Sequence, residues 1–137
     1  MTRILPLGPG SELPTWVDAL EQSCFAQVWG SMAEHELLWG CGEKGFARWS
    51  VYPSLGEAEL LRIAVAPASR REGVGRALLR VSVKGLRELG IVEARLEVRV
   101  SNKAARTLYE SEGWKVQGLR RAYYRDGEDA ALYLIKL

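Results

Sequence analysis

Two glycines, Gly73 and Gly75, stand two apart in the run "RREGVGRALL", after the basic pair Arg70 and Arg71 and before an amphipathic stretch. Glycine lets a backbone turn sharply and come close to a neighbouring group. The first amides of a helix starting at Val74 lack intrahelical partners and carry the positive end of the helix dipole. A phosphate fits such a place. The run lacks the Lys-Ser/Thr of a Walker loop and its glycines do not match GxGxxG. Taken alone, a Gly-X-Gly helix start is more often plain turn chemistry. Two other residues could do proton chemistry. Glu97 stands between Arg95 and Arg99 on the polar side of an alternating run, where alternation alone reads as a surface ion ladder. Tyr109 follows Asn102 by two helical turns, where spacing alone reads as a packed tyrosine. Cys24, Cys41 and the lone His35 show no metal-ligand spacing, so no metal site and no disulfide framework is expected; two buried thiols and a surface imidazole are.

The elements that must position these residues are legible. "RILPL", "ELLWGC", "FARWSVY" and "AELLRIAV" read as strands, the last three joined by tight turns into a meander. A helix opens near Ser11 and Pro14 and continues through "TWVDALEQSCF". The clearest helix covers 74–89, with Val74, Ala77, Leu78, Val81, Gly85 and Leu89 on one face and Arg76, Arg80, Lys84 and Arg87 on another. The basic stripe reads first as a solvated face. "IVEARLEVRV" alternates strictly as a strand. "SNKAARTLYESEG" is a helix capped by Ser101 or Asn102 and stopped by Gly113, and "WKVQGLR" and "AALYLIKL" are the last strands. This order gives an α/β fold with a mixed sheet in a single domain, 1–137. The five tryptophans read as core and rim.

The bulk properties bound the partners. With 137 residues, 47% hydrophobic and 26% charged, the chain can bury a core, and a net charge of +2 is too small to argue for nucleic acid. No apolar run approaches a membrane span, and Pro6 interrupts the only apolar stretch near the start, so a cytoplasmic protein without a membrane partner is expected.

The strand ending "IAV" followed by R-x-x-G-x-G resembles the acyl-CoA loop of the GNAT N-acetyltransferase superfamily. "LEVRVSNKAARTLYESEGW", then "RRAYY" and "EDA", is similar to the bacterial ribosomal-protein-alanine N-acetyltransferases, which acetylate the N-terminal alanine of a small-subunit ribosomal protein. The likeness runs from about Leu60 to Leu134. It implies the GNAT fold, a mixed, mostly antiparallel sheet flanked by helices, with acetyl-CoA as cosubstrate and a protein N-terminus as acceptor. It further implies that Ile63, Ala64 and Val65 pair their backbone with the pantetheine arm. Arg71, Glu72, Gly73, Val74, Gly75 and Arg76 would wrap the pyrophosphate through main-chain amides, and Asn102 would touch the cofactor. Glu97 would be the general base and Tyr109 the general acid.

The chemistry agrees with that assignment. Acetyl transfer needs a neutral amine, a polarised thioester and a proton for the thiolate. An α-amine has a pKa of about 8, so neutralising it at pH 7 costs about 1 kcal/mol, against about 4.6 for lysine. A carboxylate working through water suffices for the first. A phenol can protonate a thiolate that water stabilises poorly, and a backbone N–H near Val65 would polarise the carbonyl. The first half departs from the family: "CFAQVWGSM" replaces an F-P-W-S-like stretch, and Ala122 stands where asparagine is common. Both places bound the acceptor side. The rival readings are another acceptor (a protein lysine, another N-terminus or a small amine), an acyl-CoA sensor without catalysis and, on the arginine stripe alone, a nucleic-acid module. Intact Glu97 and Tyr109 argue against the sensor.

Overall fold

The structure, a computed structural model, describes residues 4–7, 17 and 35–137. Strands β1 (Ile4–Leu7), β2 (Glu36–Cys41), β3 (Gly45–Tyr52) and β4 (Glu57–Val65) are consecutive antiparallel neighbours, as the meander reading requires. Helix α1 (Val74–Glu88) then crosses over to β5 (Glu93–Arg99), and a crossover of that length permits the parallel pairing of β4 with β5. Helix α2 (Lys103–Ser111) precedes β6 (Lys115–Arg120) and β7 (Ala130–Lys136). The seven strands form one sheet in the order β1-β2-β3-β4-β5-β7-β6, mixed and mostly antiparallel. The helix expected over "TWVDALEQSCF" lies outside the described residues except for Val17, which is helical and buried.

Alternation sorts the sheet into two faces. Trp39, Trp49, Leu60, Leu96, Val98 and Tyr133 share one core with α1 and with Tyr109 of α2. By register, the other face carries Glu36, Arg48, Ser50, Glu59, Arg95 and Glu97. Arg48 and Glu36 are both buried, joined Nε to Oε2 at 2.6 Å. A charge taken out of water needs such a partner.

The buried stripe of α1 differs from the one expected. It runs through Val74, Leu78, Leu79, Ser82 and Leu86, while Val81 is 36% exposed and Leu89 50%. Two features rotate it. Ser82 is tolerated in the core because its hydroxyl donates to the Leu78 carbonyl at 2.6 Å, a bond available to serine inside a helix. The Trp39 indole lies against Gly85, where an added Cβ would come within 2.7 Å of its Cζ2. Val92, expected on the apolar side of the next strand, lies before β5 and is exposed. Of the three cysteine and histidine expectations, Cys41 is buried and His35 is exposed, stacked on Tyr52 at 5.0 Å, while Cys24 lies outside the described residues. Trp39, Trp49 and Trp114 are core, and Trp16 and Trp29 lie outside the described residues.

Candidate active site

The sheet opens at its one parallel joint. Glu57 to Leu60 pair with Glu93 to Leu96, and there the pairing stops, although β4 continues to Val65 and β5 to Arg99. The cause is local. Trp49 is opposite Leu60 and Arg48 opposite Arg62, so Leu61 is an extra residue in β4. Such a bulge bends its strand and increases the twist. Ile63, Ala64 and Val65 therefore keep β3 on one edge, and their other edge has no strand partner among the described residues. An unpaired strand edge offers N–H and C=O groups to any extended chain. At its end the Val65 carbonyl accepts from Arg70 Nε at 3.3 Å.

The glycine loop follows directly. Gly73 is the N-cap of α1, at φ +80°, and supplies no side-chain cap. The N-cap of α2 is different: Asn102 Oδ1 accepts from the Ala105 amide at 3.2 Å. One helix thus caps itself, and the other presents its first turn uncapped beside the open strand edge. Arg71, also left-handed at φ +67°, is exposed with Glu72 and Gly73. Val74 is buried, so its contribution outward is limited to its main chain. Gly75 has no left-handed φ, and a Cβ there would meet Leu108 Cδ2 at 3.5 Å and Val65 Cγ2 at 3.8 Å, ordinary contacts. Among the described residues, nothing in the packing requires glycine at that position. The side chains of the basic stripe are not all solvated: Arg76 and Arg80 both grip the Glu112 carboxylate, each at 2.6 Å, which ties α1 to the end of α2. The two guanidinium groups hold the Glu112 carboxyl below the usual carboxylate range, the bond from Arg80 counting most.

Glu97 is the first β5 residue beyond the parallel pairing. It does not join an ion ladder with its strand neighbours. Arg95 turns to Glu93 at 3.0 Å and Glu57 at 3.5 Å, and Arg99 to Asp126 at 2.8 Å and Glu128 at 3.0 Å. Glu97, its side chain 18% exposed, has Arg120 Nε at 3.6 Å. The adjacent Glu97 carboxylate, and then burial, push the Tyr123 phenol up to about 12. These groups line a cleft of about 480 Å³, together with Glu59 from β4 and with Leu132 and Leu134 from β7.

Tyr109 approaches from the opposite side. It is 5% exposed, with its ring 6.1 Å from Tyr133 and 6.2 Å from Trp114. Arg106 fixes Tyr133 by donating from Nε to its hydroxyl at 3.0 Å. Burial, and secondarily Tyr124, hold the Tyr109 phenol well above the ordinary range, so it keeps its proton at neutral pH. Leu96 and Tyr133, which belong to the helix side of the sheet, also line the cleft. Tyr124 stands within electrostatic reach of both Glu97 and Tyr109. Glu59, Arg120 and Tyr123 were not singled out from the sequence. The "RRAYY" run marked the last two as neighbours of the acceptor, but only the register brings Glu59 to Glu97.

The seven strands thus form a mixed sheet in which β4, bulged against β3, pairs with β5 in parallel only as far as Leu60 and Leu96, with the uncapped start of α1 following β4. A profile of the Acetyltransferase (GNAT) family matches residues 10–114, and the chain belongs to that family. It is 44% identical over 92 residues to an N-alpha-acetyltransferase of Sulfurisphaera tokodaii, covering 66% of this chain and 55% of that one. It is 45% identical over 82 residues to the [ribosomal protein bS18]-alanine N-acetyltransferase of Escherichia coli, covering 58% and 55%. The matched stretch therefore spans about half the length of these relatives. The crystal structure of the ribosomal-protein-S18-alanine N-acetyltransferase from Escherichia coli superposes with a TM-score of 0.80 at 35% identity, covering 99% of this chain and 94% of that one.

Proposed function

We propose that this chain transfers the acetyl group of acetyl-CoA to the α-amine of a protein N-terminus, with the N-terminal alanine of a small-subunit ribosomal protein as the first candidate acceptor. The observation that supports the reading is the parting of β4 from β5 after Leu60 and Leu96, with the uncapped start of α1 following β4 and Glu97 the first β5 residue beyond the pairing. The names of the relatives support the same reaction and the same class of acceptor.

In this reading the amides of the 71–76 loop hold the pyrophosphate, and Ile63, Ala64 and Val65 pair with the pantetheine arm through the unpartnered edge. Asn102 stands at the start of the neighbouring helix. Acetyl-CoA supplies the activated acyl group; the chain supplies orientation and protons. Glu97 accepts the proton that the acceptor ammonium must lose before its nitrogen attacks the thioester carbon. The C–N bond forms, the C–S bond breaks, and the Tyr109 hydroxyl gives its proton to the departing sulfur. A raised phenol makes Tyr109 a reluctant donor, so the step is favourable only toward a thiolate shielded from water, and its buried setting provides that shielding. No metal is needed for any of these steps. No helix among the described residues is long and apolar enough to cross a membrane.

The test is a panel of N-terminal peptides offered with acetyl-CoA, the product located by mass spectrometry. Acetyl on the α-amine of an Ala-initiated peptide is the expected product. Acetyl confined to lysine side chains would overturn the acceptor and leave the transferase reading standing. Binding of acetyl-CoA without any transfer would convert the reading to the sensor.

A further inference from the structure

Glu59 has no part in the roles described above, yet it lines the same cleft. In the parallel joint its Cα is the register partner of Arg95, so it stands on the face of Glu97, diagonal to it on the neighbouring strand. It lines the cleft with Glu97, Arg120 and Tyr123. The cation nearest in register, Arg95, is already engaged by Glu93 and Glu57. Among the described residues no ion pair is formed by Glu59 itself; on the same face Arg48 is held by the buried Glu36, and Arg99 by Asp126 and Glu128. The cleft thus holds two carboxylates and, beyond pairs already satisfied, a single cation, Arg120. That guanidinium is 58% exposed in its side chain and lies at 3.6 Å from Glu97, longer than a hydrogen bond. A loosely held cation resting on the base marks a position where another cation can sit.

We propose that Glu59 is an acceptor-binding residue, receiving the α-ammonium of the incoming chain beside Glu97 while the Arg120 guanidinium gives way to it. This rests on the reading of Glu97 as base. The division of labour follows from position. Glu97 lies just beyond the pairing, at the gap, and takes the proton; Glu59 lies one step inside the paired region and holds the charge. Burial raises the Glu59 carboxyl, the nearness of Glu97 adds to it, and Arg120 and Arg95 oppose. An ammonium between the two carboxylates relieves their mutual repulsion.

The test compares an Ala-initiated hexapeptide with its N-acetylated twin, titrated calorimetrically into the CoA-loaded full chain. The wild type should bind the free-amine peptide at least about tenfold more tightly than the twin, the scale of a charge-assisted contact. Glu59→Gln should reduce that ratio by about tenfold, and Glu59→Asp, which keeps the charge, should retain it within about threefold. In turnover, Glu59→Gln should raise KM for the peptide and keep kcat within about threefold, while the acid limb of kcat moves to lower pH because one of the two anions holding the amine's proton is gone. A ratio unchanged in folded Glu59→Gln overturns the proposal. So does a kcat lowered about hundredfold at unchanged KM, which would make Glu59 the base. Absence of α-amine acetylation by the wild type sinks the proposed function instead, since the binding ratio is read without turnover.

Discussion

Gly75→Ala separates a glycine kept for folding from one kept for a ligand. The new methyl would rest 3.5 Å from Leu108 Cδ2 and 3.8 Å from Val65 Cγ2, in contact and without overlap. Glycine costs a helix about 0.5–1 kcal/mol relative to alanine, and partial burial of a methyl adds up to about 0.8 kcal/mol. The first turn feels only part of the propensity term, so the expected gain is about 0.5–1 kcal/mol. For a domain of this size that is a rise of about 2–5 °C in Tm. The same methyl points toward the gap that the pantetheine arm would occupy, between Val65 and α2. Acetyl-CoA should therefore stabilise the variant less than the wild type at equal concentration, by about 1.4 kcal/mol for each tenfold lost in affinity. Calorimetric melting with and without acetyl-CoA reads both effects. A variant less stable than wild type without ligand would mean that glycine serves the fold. An undiminished ligand shift would remove Gly75 from the cofactor site.

Other outcomes follow from the same geometry. Gly85→Ala should lower stability by about 1–3 kcal/mol, because its Cβ meets the Trp39 ring at 2.7 Å; urea unfolding with an unchanged slope reads the loss. Ala122 is left-handed at φ +51°, a conformation asparagine adopts more readily, so Ala122→Asn should raise stability by about 0.5–1 kcal/mol in the same assay. Burial raises the folded-state pKa of Tyr109 above its unfolded value, so its neutral form contributes stability that is complete below about pH 10 and is lost as the pH climbs toward the folded value. Tyr109→Phe should flatten that alkaline decline in Tm, and an identical decline in the variant would contradict the burial argument.

Strand and helix identities were legible because local pattern decides them. β5 alternates, α2 has Asn102 and Gly113 at its ends, and the meander has its turns where glycine and proline stand. The register of α1 was not legible, because Ser82 and Gly85 look polar or neutral in a helical wheel. One is buried through a bond to its own helix and the other by a tryptophan from β2, and both are tertiary facts. The glycine loop was visible as text. What the text could not supply was the gap itself, which depends on one extra residue, Leu61, in the pairing of β3 with β4. Glu97 was found by resemblance while its own surroundings suggested a ladder with Arg95 or Arg99; the structure gives both arginines other partners. Glu59 carried no signal beyond a polar residue in an alternating strand, since its neighbour across the parallel joint lies more than thirty residues away in sequence.

The most direct test of the account is the rate of acetyl transfer against pH for the wild type, Glu97→Gln and Tyr109→Phe, at saturating acetyl-CoA and with chemistry rate-limiting. Glu97→Gln should lose about 10²-fold or more near neutrality and recover as the amine sheds its own proton at higher pH. Tyr109→Phe should lose a comparable factor that does not recover, because a neutral amine does nothing for the leaving sulfur. Both should bind acetyl-CoA as the wild type does. Parallel, pH-independent losses below about threefold, far under the usual scale of general acid–base loss, would contradict the account and leave Glu97 a surface carboxylate and Tyr109 a packed ring.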